Sequence, residues 1–162
     1  MSRASVRLRA PRPGDMGRVV SLHGALYAKE FGYDATFEAL VAEIVANFIR
    51  GFDSKRERCW IAEKGAQVVG SVFVVKKSPA AAKLRLLIVA PQARGLGLGR
   101  RLVRNCIRFA RRAGYRKLVL WTQSHLDAAR AIYETEGFRR VAREPHRSFG
   151  KRLVGEYWEL TL

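Results

Sequence analysis

Residues 84–114, LRLLIVAPQARGLGLGRRLVRNCIRFARRAG, constrain the fold more than any other stretch of this chain. An apolar run ends at Pro91, glycines follow at alternate positions (Gly95, Gly97, Gly99), and Leu98, Leu102, Val103, Cys106, Ile107, Ala110 and Ala113 then recur at helical spacing up to Gly114. A strand, a glycine turn and an amphipathic helix in that order bring free backbone N–H groups and the positive end of a helix dipole to one point. Glycines remove the side chains that would hold an anion off, so the turn is expected to carry a phosphate or pyrophosphate.

Two common phosphate loops do not fit. A Walker A loop ends in Gly-Lys-Ser/Thr, whereas Gly99 is followed by Arg100 and Arg101. A dinucleotide fingerprint spaces its glycines Gly-x-Gly-x-x-Gly and has an acidic residue closing the next strand to bind the ribose. Here the spacing is Gly-x-Gly-x-Gly, and the next strand closes on Trp121, Thr122 and Gln123.

The remaining 131 positions supply the frame. Val6–Arg9 reads as a strand, and Asp15 is placed to cap a helix carrying Met16, Val19, Val20, His23, Leu26 and Tyr27 on one face. Phe37, Leu40, Val41, Ile44, Val45 and Phe48 mark a second helix ended by Gly51. RERCWIAE and QVVGSVFVVKK form a hairpin about KGA; AKLRLLIVA adds a strand before Pro91. RKLVLWT is a strand, LDAARAIYETEG a helix with a glycine stop, and FRRVAREP with LVGEYWELTL a closing strand pair. The predicted order is β-α-α-β-β-β-α-β-α-β-β: an α/β class fold, a mixed β-sheet flanked by helices in one domain over residues 4–162. A chain of 162 residues, 48% hydrophobic, is long enough to bury one core.

Gln92-Ala93-Arg94-Gly95-Leu96-Gly97 resembles the acetyl-CoA signature of the GNAT family of N-acetyltransferases, Gln/Arg-x-x-Gly-x-Gly/Ala between a strand and a long helix. The resemblance extends over nearly the whole chain: VRLRAPRPGDMGRVVSLH is similar to the family's opening strand and helix, and AARAIYETEGF to its penultimate helix and turn. RERCWIAE, AKLRLL, GYRKLVLWT and SFGKRLVGEYWEL further resemble the acetyltransferase half of MarR-type regulator fusion proteins. The resemblance implies a GNAT-like fold with two sheet strands, Leu84 to Ala90 and Leu118 to Thr122, splayed to admit acetyl-CoA as cosubstrate. Backbone groups of Leu87, Ile88 and Val89 would pair with the pantetheine arm as an added strand would. Gln92 opens the cofactor-binding signature, and the backbone N–H groups of Arg94, Gly95, Leu96, Gly97, Leu98, Gly99 and Arg100 would hold the pyrophosphate, with the Arg94 and Arg100 side chains meeting residual phosphate charge.

By the same resemblance Tyr133 takes the place of the tyrosine that protonates the departing thiolate; a phenol of pKa about 10 can donate to a thiolate whose conjugate acid lies near about 8.5. The oxyanion donor would be a backbone N–H near Val89. Where family members often carry a glutamate on the strand before the turn, this chain has Lys83 and Arg85, and Leu126 stands where an asparagine is frequent. Glu30, His125, His146 and Glu156 are left as alternative bases. The acceptor is expected between the two N-terminal helices and the closing strands, against Tyr27, Phe31, Tyr33, Arg85 and His146, with Arg147 and Phe149 nearby. A cation facing that cleft would select an amine that also bears a carboxylate, such as an amino acid or small peptide. Direct attack in a ternary complex is the expected route.

A net charge of +17 keeps a different class open: a basic nucleic-acid- or ribosome-associated module, or a modifier of a ribosome-bound protein. An acyl-CoA-binding regulator without turnover is a third. Cys59 and Cys106 lack metal or disulfide spacing and read as small buried residues, so no metal is expected and a reducing cytoplasm fits. No apolar stretch approaches the ~18 residues of a membrane span. Homodimerisation through an exposed strand or helix face stays open.

Overall fold

The computed structural model describes residues 5–162, so Ala4, the first residue of the predicted domain, lies outside the described residues. The chain runs β1 (Val6–Arg9), α1 (Asp15–Phe31), α2 (Ala35–Arg50), β2 (Arg58–Lys64), β3 (Gln67–Lys76), β4 (Ala81–Val89), a 3-10 turn (Pro91–Ala93), α3 (Leu98–Arg112), β5 (Lys117–Gln123), α4 (Asp127–Thr135), β6 (Arg139–Ser148) and β7 (Lys151–Thr161). Apart from the short 3-10 turn, this is the order read from the sequence.

The strands form one seven-stranded sheet, ordered β1-β2-β3-β4-β5-β7-β6, in which only the β4–β5 pair is parallel. Alternation along the strands sorts the core onto two faces. Cys59, Ile61 and Phe73 point to one side and pack with Val19 of α1 and Val45 and Phe48 of α2. Their neighbours Ala62, Val72 and Val74 point to the other side and join Leu102, Val103, Cys106 and Ala110 of α3 and Tyr133 of α4. Both cysteines are therefore small core residues, each free and buried.

Asp15 does not cap α1. Gly14, in the left-handed conformation, takes the N-cap position, and no side chain caps the helix. The Asp15 carboxylate is instead buried; it accepts from Arg9 Nη1 at 2.7 Å and from the Arg12 backbone N–H at 2.7 Å, while Arg9 also reaches Glu63 at 2.8 Å. One acidic side chain thus ties the start of α1 to β1 and β2, and Arg9 holds its carboxyl below the usual range.

Two departures from regular pairing shape the centre of the sheet. β4 and β5 pair only at Ala81–Lys117, Ala82–Leu118 and Lys83–Val119, and beyond that register they diverge. On the other edge of β4 the register shifts between Ser71 and Phe73, opposite Leu86, whose φ of 52° puts a non-glycine residue in the left-handed region. The buried Ser71 hydroxyl donates to the Leu86 carbonyl at 3.1 Å and fixes this bulge.

Candidate active site

The divergence of β4 from β5 opens a cleft, because strand edges that stop pairing leave room and unpaired backbone groups between them. The cleft holds two adjoining cavities. The larger, about 530 Å³, lies on the side of the glycine turn and is bounded by Tyr27, Glu30 and Phe31 of α1, by Leu87, Ile88 and Val89 of β4, and by Ala129 and Ile132 of α4. The smaller, about 140 Å³, lies on the side of the closing strands and is bounded by His23, Tyr33, Lys83, Arg85, Trp121 and Tyr133. Tyr27, Leu87, Leu126 and Ala129 border both, so they form the neck between the cavities.

At the mouth of the larger cavity the three glycines have different reasons to be glycine. Gly95 (φ 78°) and Gly97 (φ 73°) adopt left-handed backbone that brings the chain into the start of α3. Gly99 is helical, but a Cβ there would stand 2.8 Å from Ile132 Cδ1, so its role is close packing on α4. No side chain caps α3 and its first turn contains no acidic residue. The N–H groups of Leu98, Gly99 and Arg100 accordingly have no partner inside the helix and open toward the cavity these residues line.

Most of the predicted cofactor set is brought together: Leu87, Ile88, Val89, Arg94, Gly95, Gly97, Leu98, Gly99 and Arg100 line one cavity. Gln92 and Leu96 are not part of its lining; both residues are exposed. The two arginines expected to meet phosphate already hold carboxylates. Arg94 Nη1 donates to Glu30 Oε2 at 3.1 Å, and Arg100 Nε stands 3.7 Å from Glu136 Oε1.

On the acceptor side, Tyr27, Tyr33, Phe37 and Phe149 stack into a wall, with Tyr27–Phe37 and Tyr33–Phe149 ring centroids 4.6 and 5.1 Å apart. Phe31 belongs to the larger cavity instead, packed 4.8 Å from the His125 ring. Arg85 lines the smaller cavity. His146 borders neither cavity: it binds Ser148 Oγ at 2.9 Å, donates to Gln123 Oε1 at 2.8 Å and packs on Trp121.

The four carboxylates and histidines left open as bases now separate. Glu30 is engaged by Arg94. Glu156 is fully buried, accepts from Arg130 Nε at 2.8 Å, Trp158 Nε1 at 3.1 Å and Arg140 Nη1 at 3.3 Å, and faces neither cavity. His125 lines the larger cavity, and its Nε2 lies 2.6 Å from the Tyr33 hydroxyl; desolvation lowers its pKa, which favours the neutral ring.

His23 carries a signal that the sequence reading used only for helical periodicity. Its Nδ1–H donates to the Val19 carbonyl at 2.8 Å, and burial brings its pKa down to about 4. The ring is therefore neutral with an acceptor lone pair on Nε2, which has no hydrogen-bond partner among the described residues although His23 borders the smaller cavity. A histidine interrupting an otherwise apolar helical face was the available clue. Trp121 Nε1, a donor, is likewise buried and unpartnered on the same cavity. Lys83 and Arg85 line it too, and desolvation lowers the pKa of both. Neither forms an ion pair among the described residues. Tyr133, 4% exposed and packed against Phe138 and Trp158, reaches the same space, and burial raises its phenol pKa.

Comparison with known proteins bears on this geometry. Residues 25–138 match the model of the acetyltransferase (GNAT) family. N-acetyltransferase family 8 member 2 of Rattus norvegicus is 36% identical over 123 residues, which cover 73% of this chain and 52% of that protein. The uncharacterized N-acetyltransferase C1271.07c of Schizosaccharomyces pombe is 32% identical over 122 residues, 74% of this chain and 73% of that protein. The chain thus spans about half the length of the rodent relatives it matches. Among solved structures, Salmonella typhimurium yncA with its cofactor acetyl-CoA shares the fold at TM-score 0.75 and 19% identity, over 98% of this chain and 94% of that one.

Proposed function

From the premise that this chain belongs to the GNAT acetyltransferase family, we propose that it transfers the acetyl group of acetyl-CoA to the primary amine of a small molecule that also bears a carboxylate. The observation that carries the acceptor class is the pair of half-buried cations, Lys83 and Arg85, facing the smaller cavity without a protein carboxylate. A desolvated, unpaired cation is costly, and a ligand carboxylate in that cavity removes the cost.

Acetyl-CoA enters from the glycine turn. Its pyrophosphate lies on the N-terminus of α3, its pantetheine arm runs along the unpaired edge of β4 at Leu87–Val89, and its thioester sits at the neck beside Leu87 and Leu126. A backbone N–H near Val89 stabilises the oxyanion formed on attack. The acceptor occupies the smaller cavity, its carboxylate on Lys83 and Arg85. The neutral amine attacks the thioester carbonyl in a ternary complex, forming the C–N bond and the tetrahedral oxyanion; it gives up one proton to the base, and collapse of the oxyanion breaks the C–S bond and releases the CoA thiolate. His125, coupled to Tyr33, is the base candidate that borders the reaction space and is not engaged by a cation. Tyr133 returns a proton to the CoA thiolate; the desolvation that raises its pKa also raises the thiolate's proton affinity, so the two remain matched.

The test is release of free CoA with a matched pair of acceptors, an α-amino acid and its decarboxylated amine. The amino acid should show kcat/KM at least about tenfold higher, and Arg85→Gln should erase that preference, as expected for loss of a charge-assisted contact. Equal kcat/KM for the two acceptors in the parent protein would refute the carboxylate assignment.

A further inference from the structure

About 15 Å beyond Leu98 along the α3 axis, at ~1.5 Å per residue, Arg108 enters a second concavity that has no part in the cleft. It measures about 390 Å³ and is lined by Lys55 from the loop before β2, Arg58 and Trp60 of β2, and Arg108, Phe109 and Arg112 of α3. No carboxylate lines it. The nearest acidic residues in sequence are engaged with backbone: Asp53 accepts from the Lys55 N–H at 3.0 Å, and Glu57 from the N–H groups of Asp53 and Lys76 at 3.2 and 3.1 Å.

Eight cations find carboxylates among the described residues: Arg9, Arg12, Arg94, Arg100, Arg104, Lys117, Arg130 and Arg140. Lys55, Arg58, Arg108 and Arg112 form no ion pair among the described residues, yet three separate elements bring them to one concavity. Like charges converge this way at a cost unless an anion joins them. Proximity to the C-terminus of α3 favours Arg108 and Arg112, but it does not account for Lys55 and Arg58, which come from outside the helix.

Shape and chemistry narrow the anion. The Arg58 guanidinium lies over the Phe109 ring, 4.8 Å from its centroid, and Trp60 meets the same ring edge-on at 6.0 Å. This arrangement presents a flat cationic surface of the kind on which nucleobases stack. The volume of about 390 Å³ is within the range of small-ligand sites and is on the scale of one nucleotide unit. Arg101, Arg108 and Arg112 continue the charge along one side of α3 in steps of roughly 6–10 Å, a track for successive phosphates, while Arg104 between them is held by Glu136.

We propose that this concavity and the α3 arginines bind single-stranded nucleic acid, one nucleotide seated on Arg58 and Trp60 and its neighbouring phosphates on Lys55, Arg101, Arg108 and Arg112. The site is separate from the acetyl-CoA cleft and does not depend on the acceptor assigned above.

The test is fluorescence anisotropy of a labelled 12-residue oligouridylate titrated with the full chain over a range of salt. Binding is expected with a log K against log salt slope of about −3, from about four neutralised phosphates at ~0.7 each. The double substitution Arg108→Ala/Arg112→Ala should weaken binding at least about tenfold and flatten the slope by about 1.4, while acetyl-CoA titrates unchanged. A control that removes the same charge from the sheet edge, Arg139→Ala/Arg143→Ala, should change affinity by less than about twofold if phosphate contacts are local. No binding, an equal loss in the control, or tighter binding to a polyglutamate peptide or to phosphatidylserine vesicles than to the oligonucleotide would overturn the proposal.

Discussion

Gly97→Glu separates the stability of the glycine turn from its binding role. A Cβ at Gly97 would meet nothing within 4 Å, so the protein itself leaves room for a side chain. The backbone is less permissive: at φ 73° an L-residue is strained by about 1–2 kcal/mol, which for a chain of this length lowers Tm by roughly 2–8 °C. The folded enzyme should therefore survive. Binding should not, because the new carboxylate stands at the N-terminus of α3, where the pyrophosphate is to lie. At about 5 Å and an effective dielectric of about 20 to 80, each like-charge pair costs about 1–3 kcal/mol, and a pyrophosphate presents about two such pairs. The expected result by calorimetric titration with acetyl-CoA is a Kd at least about 100-fold higher, equivalent to about 2.7 kcal/mol. Gly97→Gln isolates the charge, since it keeps nearly the same volume and backbone strain, and should lose much less affinity. Gly97→Asn, which tolerates the left-handed region, should fold and bind best of the three. If Gly97→Glu binds acetyl-CoA within about threefold of the parent while remaining folded, the pyrophosphate does not sit on this turn.

Two further predictions concern protons. Tyr133→Phe should leave acetyl-CoA affinity within about twofold and lower kcat about 100-fold, the range of a general acid; an unchanged kcat would remove Tyr133 from the mechanism. His23 is neutral when folded to about pH 4 but titrates near about 6.5 when unfolded, so between those values the unfolded chain binds more protons and stability falls as pH falls. From pH 7 to 5 urea unfolding should register a loss of about 2 kcal/mol from this group, with His125 contributing in the same sense, and His23→Gln should flatten the slope; an unchanged slope would show that His23 titrates alike in the folded and unfolded protein.

The site was legible in parts that differ in kind. The glycine turn, its uncapped backbone N–H groups and Tyr133 on α4 lie within short segments whose spacing can be read directly. Gln92 and Leu96 belong to the same short pattern and are exposed, outside the residues that line the cavity. His146 was grouped with the acceptor wall by its place in the sequence. The register of β6 on β7, pairing His146 with Leu153, instead leaves it beside Gln123. Glu30 and Glu156 could not be told apart from a free base until Arg94 and Arg130, distant in sequence, were seen on them.

By itself the sequence determined the elements and their order, since period 2, period 3.6 and left-handed glycines are properties of neighbouring residues. It likewise determined that one strand-to-helix turn would present unpaired N–H groups. Tertiary structure decided where that turn faces a cleft. The parting of β4 from β5 after Lys83, the bulge at Leu86 held by Ser71, the turning of His23 and two unpaired cations toward one cavity, and the meeting of Lys55 and Arg58 with the far end of α3 all depend on register between distant segments. Pairing energy is shared over whole strands, so no local pattern announces where it will be given up to make room for a substrate.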